Sequence, residues 1–79
     1  MDIVFDELKN KKLKKERNVT FEMAIEKMAK GEILLDFEHP NKEKYPNQRI
    51  MVVELNGYLH CVPYLQTKDK IVLKNHLSR

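Results

Sequence analysis

Cysteine is almost missing from this chain of 79 residues, and tryptophan is missing altogether. Cys61 stands alone, so no internal disulfide can form and no cysteine pair exists to hold zinc. His39, His60 and His76 have no short ligand spacing, so neither a metal nor another cofactor is expected. No apolar run approaches 18 residues and no signal peptide opens the chain, which predicts a cytoplasmic protein with no membrane segment. There is no internal repeat, so a single domain over 1–79 is expected. A domain this small buries only about 60% of its unfolded surface. Without a disulfide or a metal, association with another chain is the natural stabiliser. A helix-turn-helix or other DNA-readout motif is also lacking, which weighs against a plain DNA-binding protein.

What the sequence does contain is concentrated between Arg49 and Leu77. Asn56-Gly57 separates two apolar runs, the strongest short-range signal for a hairpin, because a type I′ turn needs positive φ at both central residues. With that turn Leu55 faces Tyr58, Val53 faces His60 and Met51 faces Val62. Ile50, Val52, Leu59, Cys61 and Leu65 then share the opposite surface. Gln66 to Lys70 forms a second connection, and Ile71 to Leu77 is expected to return as a third antiparallel strand. Both faces of such a sheet are largely apolar, and both call for cover. Cys61 reads as a small buried hydrophobe in mid-strand.

Upstream, Ile3, Val4 and Phe5 are β-prone and suit an edge strand. Asp6 is placed to cap a helix running to about Arg17, with a thin apolar stripe of Leu8 and Leu13, and Asn18 ends it. Thr20 caps a second helix whose Phe21, Ala24, Ile25, Met28 and Ala29 form a core stripe, and Gly31 stops it. Ile33, Leu34, Leu35 and Phe37 suggest a short strand closed by His39-Pro40, followed by a polar loop. The order β-α-α-β-β-β-β gives an α+β architecture, two N-terminal helices on a small antiparallel sheet.

The net charge is only +3, but it is unevenly placed. Lys9, Lys11, Lys12, Lys14, Lys15 and Arg17 crowd the first helix, and Lys68, Lys70, Lys74 and Arg79 gather near the end. This pattern suits a polyanion such as nucleic acid or an acidic protein partner; a solvated helix face would carry the first cluster equally well.

Phe5-Asp6-Glu7, Lys9, Val19-Thr20-Phe21-Glu22 and Ala24, with Lys74 and Arg79 at the end, resemble BrnT-type toxins of bacterial type II toxin–antitoxin pairs. The Pro40, Asn41, Tyr45, Pro46 and Gln48 loop is similar to that of one subgroup. These toxins are small members of the RelE-like ribonuclease superfamily. The resemblance implies a RelE-like fold and a cytoplasmic endoribonuclease that cleaves RNA, free or on the ribosome. It also implies a cognate antitoxin, commonly of the ribbon-helix-helix type, and a higher-order toxin–antitoxin oligomer. The chain departs from the family at Glu16-Arg17, where a Lys-His pair is usual, and at Asn18, where glycine is usual. The basic C-terminal helix that usually follows the position of Arg79 is not in this sequence.

Metal-free cleavage through the 2′-hydroxyl needs a proton acceptor, a stabilised phosphorane and a protonated leaving oxygen. The catalytic candidates are therefore Arg79 and Lys74 on phosphate, Arg17 as a second charge clamp, and His76 for proton transfer. Lys9, Lys12 and Lys15 are candidates for the RNA backbone, and Tyr58 and Tyr64, on the face of His60, for base stacking. The second functional expectation is a non-catalytic, degenerate toxin-like module that binds an antitoxin or RNA.

Overall fold

A computed structural model describes residues 2–74 and 77–78. In chain order its elements are β1 (Asp2–Val4), α1 (Glu7–Arg17), α2 (Phe21–Ala29), β2 (Leu35–Glu38), β3 (Gln48–Leu55), β4 (Tyr58–Gln66), β5 (Lys70–Leu73) and β6 (Leu77–Ser78). The architecture is α+β, with both helices packed on one face of a sheet ordered β1-β5-β4-β3-β2 and β6 paired to β4 beyond the end of β5.

The helices begin and end where local chemistry directs. Asp6 accepts hydrogen bonds from the Leu8 and Lys9 N–H groups, and Thr20 from that of Met23. Asn18 closes α1 in the left-handed region at φ 56°. Past α2, Gly31 takes φ 71°, and the N–H groups of Gly31 and Glu32 reach back to the carbonyls of Met28 and Lys27. That is a Schellman arrangement, which consumes carbonyls the helix would otherwise leave open.

The hairpin forms in the register that Asn56-Gly57 specifies, with φ 54° and 83° at the turn and Leu55, Val53 and Met51 opposite Tyr58, His60 and Val62. Met51, Val53, Leu55, Val62, Tyr64 and Leu73 face the helices and meet Val19, Phe21 and Ala24 in the core. Phe5 stacks on Phe21 with ring centroids 5.2 Å apart.

Two sheet expectations need correction. The sheet is mixed rather than antiparallel, because β1 enters beside β5 and runs parallel to it, Ile3 opposite Ile71. The expected strand from Ile71 to Leu77 is also broken in two. Leu73 pairs with Tyr64, whereas Leu77 pairs with Cys61, so the register slips by one between the two pairings. Pro63 is the physical reason. It offers its carbonyl to the Lys74 N–H (2.8 Å) but has no N–H to return on that side, so the ladder breaks there.

The second face of the sheet carries Leu35, Phe37, Ile50, Val52, Cys61 and Leu65, and no helix lies over it among the described residues. Leu35 and Phe37 are 61% and 41% exposed.

Candidate nucleic-acid interface

Two tight turns, at Asn18 and at Asn56-Gly57, meet at one end of the sheet. Asn56, in the hairpin turn, donates its side-chain N–H to the Asn18 carbonyl between the helices (2.9 Å). Around this tie lies a cleft of about 370 Å³ lined by Arg17, Asn18, Val19, Leu55, Asn56, Tyr58 and His60. Val19 and Leu55 make its apolar base, since both belong to the core. Arg17 reaches it as the last residue of α1, and Tyr58 and His60 reach it as alternate residues of β4 on the helix-facing side.

The electrostatics of the cleft follow from α1. Lys9, Lys11, Lys12, Lys14, Lys15 and Arg17 are all exposed, whereas Asn10 is buried and Leu13 half-buried. At roughly 100° per residue, Lys11, Lys12 and Lys15 fall on the side of the helix away from Asn10, with Lys9 on its flank. Lys14, Lys15 and Arg17 occupy the last turn, where the helix dipole favours cations. The cleft thus adjoins a mostly positive surface, interrupted by the exposed Glu16 beside Arg17.

Asn10 explains how so polar a helix stays attached. Its Oδ1 accepts from the Phe21 N–H at the start of α2 (2.7 Å), and its Nδ2 donates to Glu22 Oε1 (2.7 Å). That bond is the chief cause holding the Glu22 carboxyl below its ordinary pKa, helped by the helix-start backbone. One buried amide therefore docks α1 onto the end of α2.

The sequence-based candidates separate into groups. Arg17 and Tyr58 share the cleft, and Tyr58 is 68% exposed, as a stacking residue must be. Lys9, Lys12 and Lys15 lie on the neighbouring helix surface. Tyr64 offers no stacking face: it is a buried core residue whose hydroxyl donates to Asp36 Oδ2 (2.7 Å), while Arg49 Nε holds Asp36 Oδ1 (2.9 Å). Burial first, and the Asp36 carboxylate second, push the Tyr64 pKa up. Lys74 follows core-facing Leu73, bonded through its backbone to Pro63, and does not line the cleft. His76 and Arg79 lie outside the described residues.

His60 joins the cleft although its sequence context marked it only as a mid-strand histidine. It is 3% exposed. Burial pushes its pKa down, the Leu55 backbone offsets part of that, and the Arg17 charge adds to the depression, so the imidazole is neutral at pH 7. The role of Asn18 and Asn56 as cleft walls left no sequence signal beyond their turn propensity. Among the described residues, no group of three or more His, Cys, Asp or Glu side chains could hold a metal ion, and no helix is long and apolar enough to cross a membrane.

Comparison with protein-family models gave no match, and neither did comparison with curated proteins or with solved structures.

Proposed function

We propose that this chain is an RNA-binding toxin of the BrnT type, built on a RelE-like fold and acting in the cytoplasm as a metal-independent endoribonuclease. In this reading a cognate antitoxin, of the ribbon-helix-helix type, holds it inactive. The observation that carries the RNA-binding part is the junction of the exposed lysine surface of α1 with a cleft holding Arg17 and the exposed Tyr58. Lysines track a phosphate backbone, Arg17 clamps one phosphate at the cleft, and Tyr58 stacks an unpaired base. Cleavage by 2′-hydroxyl attack comes from the family resemblance, with Lys74, His76 and Arg79 as its remaining candidates.

A second reading, a non-catalytic module that keeps RNA or antitoxin binding, is favoured by one feature. Both ring nitrogens of His60 are shielded from solvent, so the histidine that lines the cleft with Arg17 cannot exchange a proton with a substrate in this conformation.

Fluorescence anisotropy with a labelled single-stranded RNA of about 12 nucleotides tests the binding; that length falls within the span of common single-strand sites. Affinity should fall with salt, and Tyr58→Ala and Arg17→Ala should each weaken it roughly tenfold. Variants that bind as well as the parent chain would refute the proposed interface. Incubation of the same RNA without added metal then separates the readings: defined cleavage ends support the nuclease, and intact bound RNA supports the module.

A further inference from the structure

The sheet face away from the helices has no part in the RNA reading, and no helix covers it among the described residues. At its centre Ile50 and Val52 are 8% and 7% exposed, and Leu35, Phe37 and Leu59 stand open around them, at 61%, 41% and 48%. Among the helix-free residues of β2, β3 and β4 on this face, only Glu54 at the hairpin end is charged. Lys70 lies at the other end of the strands, on β5, with Asp2 beside it.

We propose that this face pairs with the same face of a second copy of the chain, forming a two-fold dimer of stacked sheets. Three considerations favour an identical copy. First, size: five strand positions about 4.8 Å apart and about five residues long give roughly 400 Å² in projection, or about 500–600 Å² of accessible surface. Two copies remove about 1,000–1,200 Å² from water, the lower end of specific interfaces, which fits a reversible dimer of micromolar affinity. Second, charge: the neutral interior offers nothing to a strongly charged partner. A two-fold axis in the sheet plane and across the strands also sets the Glu54 end of each copy over the Lys70 end of the other. Third, self-complementarity: a two-fold axis lets one apolar patch serve as both halves of the interface.

The geometry supplies its own probe. Cys61, half-buried rather than the buried hydrophobe its context suggests, is the only cysteine in the chain and sits on β4, the middle strand of the face. Sheets stacked about 10 Å apart bring two Cys61 thiols within reach of a short bismaleimide.

Sedimentation velocity between about 1 and 300 µM, bracketing a micromolar constant, should show a monomer–dimer equilibrium, and the bismaleimide should trap a dimer at the high end. Leu35→Glu and Phe37→Glu alter side chains already exposed, so far-UV circular dichroism should be unchanged. Each enters a symmetric interface twice and should weaken association at least ~100-fold. Leu8→Glu, at a 77% exposed position on α1, should leave association unchanged. A monomer at every concentration overturns the proposal. So does a dimer indifferent to both β2 substitutions, or one in which Cys61 is not linked.

Discussion

Asn10→Ala tests how α1 is held. The parent side chain makes two bonds of 2.7 Å, one to the Phe21 N–H in the core and one to the Glu22 carboxylate near the surface. The first is worth about 1–1.5 kcal/mol net, and the second, screened by water, about 0.5–1 kcal/mol. Alanine returns roughly 0.5 kcal/mol as the better helix former. The expected net loss is about 1.5 kcal/mol, which for a domain of this size lowers Tm by roughly 6–12 °C. Urea denaturation followed by circular dichroism reads it, with Lys11→Ala as an exposed neighbour that should stay within about 0.5 kcal/mol of the parent. The Glu22 carboxyl adds a second readout. Its folded pKa lies below the unfolded value, so its contribution is complete above about pH 4.3 and is lost as pH falls through the folded pKa. Asn10→Ala should flatten that acid limb. A stability loss under 0.5 kcal/mol, with the acid limb unchanged, would show that α1 is held by something other than this amide.

His60 and the hairpin turn give two further predictions. The folded pKa of His60 is depressed, so between it and about 6.5 the unfolded chain binds more protons and stability rises with pH. His60→Leu should flatten the decline in stability as pH falls below about 6.5; an identical pH profile would contradict the buried neutral imidazole. At the turn, Gly57→Ala meets no atom within 4 Å but must hold φ 83°, at a cost of about 1 kcal/mol. Asn56→Gly keeps the turn and deletes only the bond to the Asn18 carbonyl. It should therefore cost less in stability than Gly57→Ala, and equal or greater loss would mean that the cleft tie outweighs the turn.

Local signals in the sequence carried most of the fold, because the elements that formed as expected depend on near neighbours. The caps at Asp6 and Thr20, the stops at Asn18 and Gly31, and the Asn56-Gly57 register each rest on interactions spanning a few residues. What failed needed distant information. Whether β1 runs with or against its neighbour depends on where the other end of the chain lies, and the slip after Leu73 depends on Pro63 across the ladder. Asn10 shows the same limit: within α1 it reads as one more polar residue, and only the arrival of Phe21 and Glu22 makes it a dock. In the candidate site, the charge of α1 was legible from composition, whereas the meeting of Arg17 with Tyr58 and His60 required two turns 38 residues apart to touch. Tyr58 and Tyr64 had equal standing on one strand face, and only packing assigned one to solvent and the other to the core.

The pairing of β1 with β5 bears on how the chain comes to be folded. Asp2, Ile3 and Val4 are the first described residues to be synthesised, and their partners Lys70, Ile71 and Val72 are among the last. Closing so long a loop costs entropy before any contact repays it, and long-range pairing of this kind slows folding. During synthesis, α1 and α2 emerge before any of β3, β4 or β5 exists to receive them, so the core stripe of α2 has nothing to bury against. Completion waits for β5, and every nascent form until then exposes the same apolar side chains that later make the core.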